Sequence, residues 1–378
     1  MVMMPYEKDV AKVVFTLTIL LMLGNCLAKT LTCNFVFGDS LVEVGNNNYI
    51  VTLSRANYVP NGIDFGRPTG RFTNGRTIVD IVGKYLFLHL LSQRQELGLK
   101  EFTPPYLAPT TTGPLLLKGV NYASGGGGIL NQTGKIFVGR INMDAQLDNF
   151  ANTKQDIISQ IGLPATQDLL SGALFTTVIG SNDFLNNYLT PVISIVERKL
   201  VSPEAFIREL ISRFRGQLKR LYYMGARKII VANLGPIGCI PYQRDVNPSS
   251  GGNCVASTNH LVQNFNSQLK GLLKELTNTL EGSTFVYANV NRIVEDIVQN
   301  YKSYGFTNGD SACCYLAGPH GGLVPCGPPS KVCYDTSKYV FWDPFHPSES
   351  ANMIVAKRLL EGGNEDISPM NVRTLLKS

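Results

Sequence analysis

The sequence predicts an α/β protein built on a mainly parallel five-stranded sheet with helices over both faces. Three observations carry this expectation. Short apolar runs, several of them β-branched or aromatic, recur at 33–37, 119–123, 174–179, 228–234 and 284–290. Stretches with helical spacing of apolar residues lie between them. Glycine and polar residues follow the first three runs directly, and repeated βα units of this kind form parallel sheets buried on both sides.

The elements read in order. Residues 33–37 are an apolar run stopped by Gly38, which predicts a buried strand, and 77–91 carry a helical pattern. The second run, 119–123, ends near the four glycines Gly125, Gly126, Gly127 and Gly128. The third contains Thr176, Thr177, Val178 and Ile179, β-branched residues that suit a pleated surface. Ser202 and Pro203 predict the N-cap and first turn of a helix whose apolar face recurs at Phe206, Leu210, Phe214 and Leu218, and Gly225 predicts its end. A helix is expected over 255–280, between the last two strands, and another over 350–360. The loops 46–74 and 305–339 read as surface elaborations, and no internal repeat is visible.

Composition narrows the class. With 378 residues, 44% hydrophobic and 16% charged, the chain supports a large core and excludes disorder. The 34 Lys and Arg are scattered and leave a net charge of +6, so no basic stripe for nucleic acid exists, though acidic wall polymers remain conceivable partners. Residues 1–28 read as a secretory signal. Lys8 and Lys12 precede the apolar run 13–23, small residues near Ala28 suit cleavage, and Glu7 and Asp9 are atypical. That run is too short for a membrane anchor. The expected mature protein is secreted and spans 29–378 as a single domain.

Secretion decides how the cysteines read. In an oxidising compartment Cys239, Cys254, Cys313, Cys314, Cys326 and Cys333 are disulfide candidates rather than metal ligands, and no C-x-x-C pair argues for zinc. A bridge between Cys239 and Cys254 would close a loop rich in Pro, Gly, Ser and Asn. Cys313 and Cys314 are expected to pair with Cys326 and Cys333 in an order the sequence leaves open, and Cys33 is expected as a buried thiol. Asn131 opens the sequon Asn131–Gln132–Thr133, a candidate glycan site.

Ligands of open α/β sheets bind beyond the carboxyl ends of the strands. Gly38–Asp39–Ser40 follows the first run, Ser124–Gly125–Gly126 the second and Gly180–Ser181–Asn182–Asp183 the third. Trp342–Asp343–Pro344–Phe345–His346–Pro347 precedes the last helix. This is an inventory for nucleophilic acyl transfer. A serine hydroxyl needs a base to take its proton, and His346 is suited to the task. Asp343, three residues earlier, can reach the other ring nitrogen within one turn. Backbone N–H groups of Ser40 and Gly125, with the Asn182 carboxamide, would serve the oxyanion. Taken singly, each motif has a plainer reading. Gly-Asp-Ser is a good turn, Asp-x-x-His can open a helix, and Asp183 is expected to cap one. His89, His260 and His320 show no comparable setting, and there is no P-loop or Gly-x-Ser-x-Gly elbow.

With these residues in hand, the chain resembles the plant GDSL-type esterase/lipases of the SGNH hydrolase superfamily. The blocks appear as Phe37–Gly38–Asp39–Ser40–Leu41 with Val44–Gly45–Asn46–Asn47, then Gly119–Val120–Asn121–Tyr122–Ala123–Ser124–Gly125–Gly126. Ile179–Gly180–Ser181–Asn182–Asp183 and Phe341–Trp342–Asp343–Pro344–Phe345–His346–Pro347 complete them. The resemblance implies a flavodoxin-like three-layer α/β/α sandwich. It makes Ser40 the nucleophile, His346 the base, Asp343 its partner, and Gly125 and Asn182 oxyanion donors. It also implies lipid-type acyl-ester substrates and no metal or organic cofactor. The alternatives are a cell-wall polysaccharide deacetylase or acyltransferase, and a secreted binding protein without turnover.

Overall fold

The computed structural model describes residues 33–91, 102–190 and 201–378; the expected signal segment lies outside them. Four parallel strands form the centre: β1 (Asn34–Gly38), β2 (Leu174–Val178), β3 (Lys228–Ala232) and β4 (Thr284–Ala288), and a short β5 (Ile367–Ser368) pairs antiparallel with β4. The expected run 119–123 lies along the free edge of β1 as extended backbone. Val36 N–H donates to Val120 at 3.0 Å, Tyr122 N–H to Val36 at 2.7 Å, and Ser124 N–H to Gly38 at 3.1 Å. Only one bridge, Val36 to Asn121, has strand geometry there. The fifth strand of the sheet is thus β5, and the 119–123 run is an edge segment.

Among the described residues, helices of ten residues or more are α1 (Ile78–Leu91), α2 (Met143–Ile161), α3 (Leu163–Gly172), α4 (Pro203–Tyr223), α5 (Ala256–Thr279), α6 (Val290–Gln299) and α7 (Glu349–Glu361). Register places Phe35 beside Phe175, and Val36 beside Thr176, which in turn lies beside Ile230, so the two sheet faces differ in size. On the aromatic face Phe150 of α2 meets Phe35 at 5.2 Å and Phe175 at 5.5 Å between ring centroids. These rings have no solvent exposure, and Phe150→Ala would cost about 3–5 kcal/mol. The other face carries smaller side chains and is covered by α1, α6 and α7.

Ser202 caps α4 as expected, accepting the Ala205 N–H at 3.3 Å. Helices α2, α3 and α6 were not expected. Loop 46–74, read as elaboration, is a wall of the main cavity through Leu53, Tyr58, Asn61 and Phe72. Loop 305–339 likewise contributes Leu323, Pro325 and Cys326. The bridges are Cys239–Cys254, Cys313–Cys333 and Cys314–Cys326, which resolves the open pairing. Cys33 is a buried thiol donating to the Leu117 carbonyl at 2.5 Å, and burial pushes it up to about 12.

Candidate active site

Chain order along the sheet reverses at β1, which lies between the edge segment and β2. A crevice therefore opens at its carboxyl end. Gly38 ends β1 because a Cβ there would lie 2.4 Å from both the Val178 carbonyl oxygen and Val42. Buried Gln146 of α2 clamps this glycine. Its Oε1 accepts the Gly38 N–H at 2.8 Å and its Nε2 donates to the Gly38 carbonyl at 2.8 Å. The next two residues deliver Ser40 to the cavity.

His346 Nε2 lies 2.8 Å from Ser40 Oγ, and His346 Nδ1 lies 2.8 Å from both Asp343 oxygens. Asp343 Oδ1 also accepts the N–H groups of Phe345 and His346, each at 2.8 Å. These four contacts fix the carboxylate against the ring. Phe72 lies across the imidazole at 5.1 Å between centroids and shields it from water. Ser348, two residues on, caps α7 by accepting the Ala351 N–H at 3.2 Å, which anchors the turn to a rigid helix.

Asn182 begins the turn after β2. One of its Nδ2 hydrogens goes to the Gly127 carbonyl at 2.9 Å, and Asn186 donates to its Oδ1 at 2.5 Å. Its second N–H remains for the cavity that Asn182 lines. Gly125 does not fit the expectation. Its N–H donates to Glu43 Oε2 at 2.5 Å and is spent. Gly126 lines the cavity instead, at φ +81°, and its N–H has no acceptor among the described residues. The Ser40 N–H likewise has no acceptor among the described residues.

Glu43 is the residue the motif reading passed over. It is fully buried, accepting from Asn47 N–H at 2.6 Å as well as from Gly125. An acidic residue three positions after Ser40, inside the apolar run Leu41 to Val44, is the signal that could have found it. Asn47 completes the brace, donating to the Gly125 carbonyl at 2.9 Å and accepting from Ser124 Oγ at 2.6 Å. Asp183 is no helix cap. Its carboxyl accepts Ile129 N–H, Leu130 N–H and Thr133 Oγ at 2.6–3.0 Å, so it holds the far side of the glycine loop. Burial pushes Asp39 up to about 7, Glu43 up to about 8 and Asp183 up to about 6.

His320 has a setting that sequence reasoning missed. Its Nδ1 lies 2.7 Å from buried Asp245, which also accepts the His320 and Gly322 N–H groups. The partners are 75 residues apart, so no local motif announces them. The Asn131 side chain is exposed. Among the described residues no group of three His, Cys, Asp or Glu could hold a metal ion, and no helix is long and apolar enough to cross a membrane.

A parallel α/β sandwich with a Ser–His–Asp line at the switch point of its sheet has the build of an ester hydrolase. The profile of the family described as GDSL-like Lipase/Acylhydrolase matches residues 35–359. GDSL esterase/lipase At4g16230 of Arabidopsis thaliana is 60% identical to this chain, with 96% of each chain covered. GDSL esterase/lipase At3g50400 of the same plant is 50% identical over 91% of each, and GDSL esterase/lipase 7 is 43% identical over 91% of each. The chain belongs to the GDSL-like lipase/acylhydrolase family and is a carboxylic ester hydrolase.

Proposed function

We propose that the protein is a secreted hydrolase of lipid-type acyl esters with Ser40 as nucleophile. The observation that carries this is the 2.8 Å contact of Ser40 Oγ with His346 Nε2, backed by Asp343 on the other ring nitrogen. His346 takes the hydroxyl proton as Ser40 Oγ bonds to the ester carbonyl carbon. The oxyanion is met by N–H groups of Ser40 and Gly126 and by Asn182 Nδ2. Collapse breaks the ester C–O bond, and the alcohol leaves with the proton held on His346. Water then gives a proton to His346 as its oxygen bonds to the acyl carbon, and collapse breaks the acyl–Ser40 Oγ bond, returns that proton to Ser40 and releases the acid. Asp343 stabilises the imidazolium formed in each half. Apolar cavity walls, among them Leu53, Phe72, Ile136, Phe137 and Leu323, support acyl substrates over polysaccharides. Exposed Asn131 is the proposed glycan site, and the net charge of +6 is the basis for proposing contact with acidic wall polymers.

The test is hydrolysis of p-nitrophenyl esters together with labelling by a serine-directed phosphonate. Wild type turns over the esters and is labelled at Ser40, whereas Ser40→Ala does neither. Retained turnover in Ser40→Ala would refute the mechanism.

A further inference from the structure

The cavity that opens at Ser40 continues into the molecule. Its volume is about 390 Å³, within the range of small-molecule sites. Beyond the site it runs along the small-residue face of the sheet, under the layer formed by α1, α6 and α7. Its walls are ordered by depth. At the carboxyl ends of β2, β3 and β4 the lining residues are Val178, Ala232 and Ala288, and the first turns of α6 and α7 contribute Val290 and Ala351. Next come Thr176 and Ile230 beneath Val82, Val294 and Val355, and then Ile297 and Leu359. Asn34, at the opposite end of β1, forms the floor, where its Oδ1 has no partner among the described residues. Val178, Val290 and Val294 are only half-buried although they face the middle of the sandwich. Protein interiors rarely leave space larger than a water molecule, so apolar space that continues inward from an open site suits a ligand.

The geometry points to this chamber as the binding site for the acyl chain of the substrate, an inference that rests on Ser40 being the nucleophile. The acyl group stays bonded to Ser40 while the alcohol must leave and water must enter. The inner part of the cavity, between sheet and helices, suits the part that stays, and the mouth suits the part that goes. Its depth sets a length. Ala351 to Leu359 is eight residues of helix, about 12 Å at ~1.5 Å each. A zigzag chain advances roughly 1.25 Å per carbon, from a ~1.52 Å bond and a ~111° angle. The chamber therefore takes acyl chains of about ten carbons, with mainly aliphatic walls and, among the described residues, no charged group beyond the mouth.

The experiment compares two ester series on the full chain. One varies acyl length on a constant p-nitrophenol, and the other varies alcohol length on a constant acetate. In wild type kcat/KM rises at least tenfold from acetyl to decanoyl, with no such rise along the alcohol series. Val294→Phe, which narrows the middle of the chamber, lowers the decanoyl-to-acetyl ratio at least tenfold. Leu359→Ala, which deepens it, moves the best acyl length up by two carbons or more. Melting temperatures confirm that both variants are folded. Ratios and optimum unchanged in both folded variants, or changes confined to the alcohol series, would overturn the chamber and leave the hydrolase reading intact. Failure of every ester to turn over in wild type, with Ser40 unlabelled, would sink the nucleophile and the chamber with it.

Discussion

Glu43 holds the Gly125 N–H at 2.5 Å with one buried oxygen and the Asn47 N–H at 2.6 Å with the other. A Cβ at Gly125 would come within 2.8 Å of that carboxyl and 2.7 Å of Phe72, so only glycine fits against the acid there. The contact leaves Gly126 as the amide that faces Ser40's cavity. Glu43 is thus a positioning residue. Glutamine in its place would turn an NH₂ toward one of two N–H donors and break one contact. For Glu43→Gln, kcat falls roughly ten- to a hundredfold with KM little changed, short of the ~10²–10³ for deleting an oxyanion donor outright. Rates are normalised to the Ser40 fraction that a phosphonate labels, so misfolded molecules do not count. Unchanged kcat per labelled serine would refute the role.

The same acid governs stability against pH. Asp39, Glu43 and Asp183 are buried, and no Lys or Arg among the described residues pairs with them; only His346 acts on Asp39 from nearby. Desolvation is the largest cause of each shift, which carries them up to about 7, 8 and 6. The folded chain then binds these protons more tightly than the unfolded one. Their contribution is complete below the ordinary carboxylate range and is lost as pH rises through those values. Groups held below their ordinary values, such as Asp296 and Asp335, lose stability only in more acid solution and do not offset the trend. The melting temperature is expected to fall from pH 5 to 8.5, and Glu43→Gln should flatten the upper part of the curve. A melting temperature that rises over this window would contradict the assignment.

Much of this was legible because it is local. Ser40, Asp343, His346 and Asn182 each sit in a short motif next to a strand end or helix start, and the structure brings those motifs together. The strands were legible because parallel strands buried on both faces read as continuous apolar runs. What was missed depends on distance. Glu43 and Gly125 are 82 residues apart, Asp245 and His320 are 75, and neither pairing has a periodicity. Helix α2 has a mean hydropathy near zero, with buried Gln146 and Thr153 among its apolar contacts, so its inward face hides in polar residues. Strand β5 has two residues, too few to show a pattern.

Val138 has φ 69° and ψ −77°, with Gly139 N–H donating to Phe137 at 2.9 Å, which is a γ-turn of the strained hand. Its side chain is 65% exposed, so it gains little packing in return. Conformations of this kind cost about 1–3 kcal/mol, and part of that is offset by the greater chain entropy that glycine loses on folding. Val138→Gly is expected to stabilise the protein by about 1 kcal/mol, seen as a higher urea midpoint with an unchanged slope. A lower midpoint would show that the turn is unstrained. Because neighbouring Ile136 and Phe137 line the cavity, acyl-length preference is the companion measurement.

The two bridges of the 305–339 loop buttress the catalytic turn through Trp342, the sole tryptophan of the chain. Its ring is fully buried among Cys313, Cys314 and Cys326, and its indole N–H donates to Asn61 Oδ1 at 3.0 Å. Cys314 N–H donates to the Trp342 carbonyl at 2.6 Å, and Trp342 N–H to the His346 carbonyl at 2.8 Å. Asp343 is the next residue, so loosening the cysteine cluster displaces the carboxylate that orients His346. The pair Cys314→Ser with Cys326→Ser opens a loop with a sequence separation of 12 and is expected to cost about 3 kcal/mol. Activity should fall in the still-folded variant. During reduction of the wild type, Trp342 fluorescence and ester turnover should change at the same reductant concentration. Turnover that persists after the fluorescence has changed would show that the turn holds its geometry without the bridges.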